Sequence, residues 1–337
     1  MSALAPLLAR VKAFDPEALL NLRPSWPAVA VEIDRGRLAL ARIRHTRGKP
    51  VLEAYRVHET PEHHVSASLL RPNLGSPAEL AGRLKDLFAK SGTKPGRVSV
   101  VLPDNLARVS IVSLPERPVG PRELADVLRF KLRKSVPFKL EDAVISSWPL
   151  SSEGPGLDVL VAVMLRSTVE QVETAFDAVG ARPGLVDLAT PSVYNLARAE
   201  LSRVTAAGKD AALLNCAAGY FTLLIVRRDR VSFYRCKSYA NGNGDAGASS
   251  AIMARELASS LSYYQEKLPG PGIGAILVRS LAQPLDAVRP LLERLGLQDI
   301  RPVDPRPSLD PAGMPLDPAG AAGVAAVLGA SAGRLAS

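Results

Sequence analysis

The chain has 337 residues, a net charge of +9 and an apolar fraction of 47%, which suit two globular domains rather than one small core. Two cysteines, Cys216 and Cys236, are too few for a disulfide scaffold or a zinc site, and aromatic residues at 5% argue against a stacking surface for single-stranded nucleic acid. The basic balance favours an acidic partner, but no run of five like charges forms a basic tail.

The sequence predicts a leader of weak helical character at residues 1–26. This leader lacks the charged region, apolar stretch and cleavage site of a secretion signal. No window of the sequence approaches the roughly eighteen uncharged apolar residues that span a bilayer. We therefore expect a soluble cytoplasmic protein without a transmembrane helix.

From Pro27 onward, polar and apolar residues alternate in the way that is typical of half-buried strands. Residues 28–57 predict three strands joined by turns, a β-meander. Ser76 then predicts a helix N-cap, with Pro77 at the first helical position. Strands and helices alternate over the rest of the first 205 residues. The predicted strands are 97–102, 109–113, 143–150 and 157–165, with a short strand or turn at 184–188, and the predicted helices are 76–90, 123–136, 168–179 and 191–202.

The same plan starts again at Asp210, where residues 210–240 predict a second meander. Two α/β halves of one plan favour a duplicated actin-like fold, the sugar kinase/Hsp70-like architecture, with a cleft between the halves. The later predicted elements are helices at 249–267, 285–295 and 319–330 and a strand at 274–278. The predicted domains are a first half at 27–205, with a small inserted subdomain at about 97–165, and a second half at 206–337.

A basic segment at residues 123–142 raises the question of nucleic-acid binding. Its pattern predicts an amphipathic helix that ends at Pro137. One stripe of that helix holds Arg122, Asp126, Arg129 and Arg133. Because the aspartate predicts ion pairs within the stripe, the segment is interpreted as a neutralised amphipathic helix and not as a nucleic-acid-reading one.

Four stretches carry a family resemblance by their order and spacing. They are residues 101–115, 123–144, 159–198 and 254–265, which read VLPDNLARVSIVSLP, ELADVLRFKLRKSVPFKLEDAV, VLVAVMLRSTVEQVETAFDAVGARPGLVDLATPSVYNLAR and ARELASSLSYYQ. Together they resemble the PilM family, the actin-like cytoplasmic proteins of type IV pilus assembly. This family also includes the cytoplasmic part of the GspL-type secretion proteins.

The resemblance implies a cytoplasmic scaffold of type IV pilus assembly. Such a scaffold binds the cytoplasmic tail of a PilN-like inner-membrane protein, links it to the assembly ATPase, and lies at the inner face of the inner membrane through that partner. No nucleic-acid partner is implied. A peptide groove needs apolar pockets, and the candidates in the inserted subdomain, which could equally be core residues, are Phe130, Val136, Phe138 and Trp148.

The resemblance also implies where a nucleotide would bind, because the first turn of each meander approaches the phosphates in this fold. Such turns need an aspartate for the metal, and glycines that let backbone N–H groups reach the anion. The matching candidate positions are Glu32, Asp34, Gly36, Asn215 and Gly219 in the two turns, and Arg279 in a third, glycine-rich turn near the adenine. They depart from the pattern because Glu32 and Asn215 stand in place of aspartates, and Asp34 and Arg279 in place of glycines. We therefore expect no cofactor, and a non-catalytic protein whose cleft is structural or holds nucleotide weakly. The alternative is an ATP-binding actin-like ATPase or kinase-fold enzyme.

Other candidate chemistry is weak. His58, His63 and His64, with nearby glutamates, are interpreted as solvated loop residues rather than metal ligands, because no ligand geometry is defined. Cys216 falls inside a predicted buried strand and is expected in the core. No metal site is predicted.

Overall fold

The computed structural model describes residues 26–332, apart from gaps at 60–64, 67, 70–72, 151–154 and 240–245. The predicted leader, except its last residue, and two of the three histidines considered as ligands, His63 and His64, lie outside the described residues. The third, His58, belongs to a strand and not to the predicted loop. Within the described ranges, no helix is both long enough and apolar enough to cross a membrane.

Thirteen strands and seven helices occur in the described part of the chain. The strands are β1 (Val29–Asp34), β2 (Arg37–Arg44), β3 (Val51–Glu59), β4 (Arg97–Leu102), β5 (Arg108–Leu114), β6 (Ala143–Leu150), β7 (Leu157–Leu165), β8 (Arg182–Leu188), β9 (Asp210–Ala217), β10 (Tyr220–Arg227), β11 (Arg230–Ser238), β12 (Ile273–Ser280) and β13 (Ile300–Pro302). The helices are α1 (Pro77–Lys90), α2 (Pro121–Leu132), α3 (Arg166–Asp177), α4 (Ala189–Ala206), α5 (Ala246–Lys267), α6 (Leu285–Arg294) and α7 (Pro318–Ala332).

The first half is a five-stranded sheet of order β3-β2-β1-β4-β8. The predicted meander forms its antiparallel part, and β4 and β8 continue it in parallel. Helix α1 begins at the predicted N-cap, where the Ser76 hydroxyl accepts a hydrogen bond from the Glu79 N–H at 3.3 Å. Helices α1 and α3 bury their apolar residues on one face of this sheet.

The second half repeats this plan with a sheet of order β11-β10-β9-β12-β13. Its meander is again antiparallel, and β12 and β13 run parallel to β9. Helices α5 and α6 cover its outer face. Helices α4 and α7 pack between the two sheets and join them in one shared apolar core. The duplicated α/β actin-like architecture predicted from the sequence is confirmed.

Two predicted domain boundaries differ from the structure. Strand β4 pairs with β1 in the first sheet, so the inserted subdomain begins after it rather than at residue 97. After β13 the chain returns to the first half, where the Asp310 and Met314 N–H groups donate to the Pro50 and Leu52 carbonyls at 2.9 and 2.7 Å. Helix α7 then packs on β1, β2 and β4, although its residues were assigned to the second half. These contacts are long-range pairings, which local patterns do not encode.

Helices α4 and α7 approach each other very closely between the sheets. At Gly329 of α7, an added Cβ would lie 1.9 Å from the Ser192 carbonyl oxygen of α4. Only glycine fits at such a contact between two backbones. The small-residue composition of α7 therefore sets how closely the two halves pack.

The inserted subdomain is a three-stranded antiparallel sheet of order β5-β7-β6, with α2 on one face. Helix α2 ends at Leu132, earlier than the predicted stop at Pro137, because the backbone N–H and the hydroxyl of Ser135 both donate to the Leu132 carbonyl, at 2.9 and 2.8 Å. The predicted ion pairs of Asp126 are also wrong, since this side chain is exposed and pairs with no basic residue of the described chain.

Candidate functional site: a polar cluster between the two halves

The cleft between the halves contains a buried ion pair that joins the two sheets. Glu32 lies on β1, and Arg279 lies on β12. One terminal nitrogen of Arg279, Nη2, donates to both carboxylate oxygens of Glu32 at 2.8 and 2.7 Å, and the two side chains are 0% and 2% exposed. Buried charges are tolerated only when they are paired and hydrogen-bonded. This pair therefore ties the first half to the second.

The other nitrogens of Arg279 are also satisfied. Nε donates to the Ala322 carbonyl of α7 at 2.9 Å, and Nη1 donates to Asn215 Oδ1 at 3.3 Å. Arg37 of β2 reinforces the same region, because its Nη2 donates to the Gly323 carbonyl at 2.5 Å and its Nη1 lies 3.7 Å from Glu32. Arg279 is thus fully paired within the chain, whereas Nη1 of Arg37 is buried and forms no hydrogen bond with another described residue.

A second part of the cluster is centred on Asp104, in the short turn that follows β4. Its carboxylate is fully buried and accepts hydrogen bonds from the Thr190 N–H at 2.9 Å and from the Thr190 hydroxyl. It also accepts from the Thr222 hydroxyl at 2.9 Å and from Asn215 Nδ2 at 3.2 Å. Thr190 belongs to α4 of the first half, whereas Thr222 and Asn215 belong to the second-half strands β10 and β9. Asp104 thus forms a second link between the halves.

Burial raises the pKa of Asp104, although the hydrogen bonds from Thr190, Thr222 and Asn215 oppose that rise. Asn215 connects the two parts of the cluster, since its amide donates to Asp104 and accepts from Arg279. The cluster is therefore one continuous hydrogen-bonded network from β1 to β10. Such a network specifies one arrangement of the halves, because any opening would leave buried groups unpaired.

Three of the six predicted nucleotide-site residues, Glu32, Asn215 and Arg279, meet in this network. Asp34 lies at the end of β1, buried, and accepts a hydrogen bond from the Arg35 N–H at 2.8 Å. The remaining two, both glycines, lie in turns.

Those two glycines differ in backbone conformation. Gly219 lies in the β9–β10 turn with φ +83°, a conformation that favours glycine. Gly36, in the β1–β2 turn, has open space around its missing side chain and no positive φ. Only the second turn therefore requires its glycine.

Asp104, Thr190 and Thr222 were missed in the sequence. The available signal was weak: Asp104 lies two residues after the end of a buried strand, as charged site residues often do at the carboxyl edge of a parallel sheet. Nothing in the sequence marked Thr222 as a site residue, because threonine is common in strands. Its role depends on a partner 118 residues away.

The four predicted groove residues do not line one surface. Val136 and Phe138 pack against the subdomain core beneath α2. Phe130 points to solvent and is 75% exposed. Trp148 lies on β6 and faces the body of the first half, where its ring meets Tyr194 of α4 edge-on at 6.2 Å. Phe130 and Trp148 therefore lie on different surfaces from Val136 and Phe138.

Asp34 is expected to make the stability of the folded protein depend on pH. Burial, with the nearby Glu32 charge, raises the pKa of Asp34 from 3.8 to about 6. Between these values the folded state holds a proton that the unfolded state has lost, so stability falls as the pH rises through this window. We expect Asp34→Asn to raise the free energy of unfolding by about 1–3 kcal/mol above about pH 7, because it removes the cost of a desolvated charge. Urea unfolding at a series of pH values measures this.

The variant should flatten the pH dependence between 3.8 and about 6 without abolishing it. Asp187 remains in the variant, and burial raises the pKa of this carboxyl to about 6 as well. An asparagine oxygen can still accept the hydrogen bond from the Arg35 N–H. A variant less stable than the wild type at neutral pH would show that the Asp34 charge is compensated.

The architecture matches solved structures over nearly the whole chain. A chain of the PilM–PilN type IV pilus biogenesis complex superposes with a TM-score of 0.77 at 20% identity, covering 91% of this chain and 98% of that one. A Bacteroides thetaiotaomicron protein with an actin-like ATPase fold and unknown function gives a TM-score of 0.50 at 8% identity, covering 85% and 93%. Comparison with protein-family models and with characterised protein sequences returned no match. The chain has the actin-like α/β fold, and it shares that fold with the matched chain of the PilM–PilN complex.

Proposed function

We propose that this protein is a non-catalytic scaffold of type IV pilus assembly that binds the cytoplasmic tail of a PilN-like inner-membrane protein. The observation that carries the proposal is the match to a PilM–PilN complex chain over 91% of this chain. In the cell, such a scaffold would lie in the cytoplasm at the inner face of the inner membrane through its partner. It would link that partner to other assembly proteins, including the assembly ATPase.

The polar cluster supports a scaffold that uses no cofactor. A phosphate or Mg²⁺ entering between the halves would have to displace Arg279 from Glu32, and every nitrogen of that guanidinium is already paired. The buried carboxylates of Glu32, Asp34 and Asp104 would also repel a phosphate. We propose that the network holds the halves in the arrangement that a bound ligand would otherwise hold.

We place the peptide groove on the face of the subdomain sheet that is turned toward the body of the first half. Leu160 and Leu150 are buried there, whereas Ile111 and Trp148 are only partly buried and Val144 is 36% exposed. Strand β6 is an edge strand that pairs only with β7 in the described chain. An extended tail could hydrogen-bond along such an edge and place alternate apolar side chains on this face.

The test measures, by titration calorimetry, how tightly the intact protein binds a synthetic peptide with the sequence of the PilN-like protein's cytoplasmic tail. We expect Val144→Lys to weaken binding at least about tenfold, because a charge would enter the apolar face. Trp148→Ala should weaken it further. Met314→Ala is the matched control, since it removes a 46% exposed apolar side chain far from the subdomain. Equal affinity of all four proteins would contradict the groove, and no binding by the wild type would contradict the partner.

The alternative is an ATP-using enzyme of the same fold. Titration of the same protein preparation with MgATP separates the two functions. We expect no heat of binding and no shift in melting temperature. A micromolar dissociation constant would overturn the non-catalytic assignment while leaving the peptide result unaffected.

A further inference from the structure

The outer end of α2 carries an exposed aromatic residue that the peptide groove does not use. Phe130 lies between the buried residues Leu128 and Leu132 in sequence, and helical geometry therefore turns it to the opposite side of α2. It is 75% exposed. Val119, directly before α2, is 98% exposed. These are the two most exposed large apolar side chains in the described chain, and both belong to the subdomain.

The same end of α2 is strongly basic. Between residues 129 and 139 the chain has five basic residues and no acidic one, and all five basic side chains are exposed: Arg129, Lys131, Arg133, Lys134 and Lys139. None of them forms an ion pair with another described residue. Two other surface arginines, Arg301 and Arg306, pair with neighbouring aspartates, whereas the exposed Arg56, Arg203 and Arg294 form no ion pair with a described residue. We call Phe130 and these five residues the α2 patch.

We propose that the α2 patch binds the surface of an anionic lipid bilayer. Basic side chains would contact the lipid phosphates while the Phe130 ring enters the boundary between headgroups and acyl chains, as in other interfacial helices. The positive charge is local, because the acidic residues Glu123 and Asp126 lie on the earlier turns of α2, and the exposed Glu141 and Asp142 follow Lys139 in the short turn before β6. The proposal does not depend on the peptide groove, which lies on the other face of the subdomain sheet.

The shape of the patch favours a bilayer over a peptide. A bound peptide needs a groove with side-chain pockets, whereas Phe130 projects from the outer side of a helix. Nucleic acid would use the same positive charge but would gain little from one isolated aromatic ring, because strand binding uses successive stacked bases. Dependence on Phe130 therefore distinguishes lipid from nucleic acid.

The experiment is sedimentation of the intact protein with vesicles of phosphatidylcholine alone or with about 30% phosphatidylglycerol. We expect binding only to the anionic vesicles, and its loss at about 0.5 M salt, where charges are screened. Phe130→Ala should weaken binding several-fold, and Arg133→Glu with Lys134→Glu should abolish it. These side chains are exposed, so the variants should fold, which melting curves check.

Lys85→Glu is the matched control, because it reverses one exposed charge on α1 outside the patch. It should bind anionic vesicles as the wild type does. A short duplex DNA provides the competing ligand. Equal binding to both vesicle types, or an Arg133→Glu/Lys134→Glu variant that binds normally, would overturn the proposal. So would DNA binding as tight as vesicle binding with no effect of Phe130→Ala.

Discussion

Replacing Arg279 by alanine is expected to lower the free energy of unfolding by about 3–5 kcal/mol. The change leaves the Glu32 carboxylate, 2% exposed, without the arginine nitrogen that donates to both of its oxygens across the halves. It also removes the donors to Asn215 and to the Ala322 carbonyl. Urea unfolding monitored by circular dichroism measures the loss.

Two variants show whether the effect arises from a buried unpaired charge. In Arg279→Met combined with Glu32→Leu, both charges are replaced by apolar groups, and most of the lost stability should return. Arg301→Ala breaks surface pairs with Asp299 and Glu200, whose side chains are 41% and 33% exposed, and should cost no more than about 1 kcal/mol. If Arg279→Ala is no worse than Arg301→Ala, the ion pair does not hold the halves together.

The second large effect is expected at Asp104. Asp104→Ala removes the acceptor of four hydrogen bonds and leaves the Thr190 N–H, two hydroxyls and an amide without it. A buried donor that loses its partner costs about 1–3 kcal/mol, and these costs are not additive. We expect the free energy of unfolding to fall by about 3–5 kcal/mol in total, which is in the upper part of the range for single mutations. Chemical denaturation again measures it.

Hydrogen exchange gives a second readout for Asp104, because its donors come from both halves. Amides at the start of α4 and in strands β9 and β10 should exchange faster together in the variant. Asp286→Ala, which removes a carboxylate that is 95% exposed on α6, should change neither stability nor exchange. Faster exchange confined to α4 would show that Asp104 stabilises only its own half.

Asp104→Asn separates charge from hydrogen bonding at this position. Asparagine keeps one acceptor oxygen, but its amide nitrogen turns N–H donors toward the Thr190 and Thr222 hydroxyls. In the wild type these hydroxyls donate to the Asp104 carboxylate. Threonine hydroxyls can rotate to accept a hydrogen bond, whereas the Thr190 N–H cannot. We therefore expect a loss smaller than that of Asp104→Ala, and a weaker dependence of stability on pH, because the buried charge is gone.

Local elements and their repetition could be predicted from the order of residues alone. Alternating residues made both meanders visible, because one face of each strand is buried. Ser76 and Pro77 marked the start of α1, because an N-cap is set by a few neighbouring residues. The repeated order of strands and helices predicted the duplicated actin-like fold. The family resemblance predicts that Glu32, Asn215 and Arg279 lie near one site, but not that they bind one another.

Which of these side chains meet, and what they bind, depends on the packing of elements that are distant in the sequence. Glu32 and Arg279 are 247 positions apart, and no local pattern pairs residues at that separation. Asp104 gained its role from Thr190, Asn215 and Thr222, which lie on three different elements. The same limit applies to the predicted groove. Whether an apolar residue joins the core, as Phe138 does, or faces solvent, as Phe130 does, depends on how distant strands and helices pack around it.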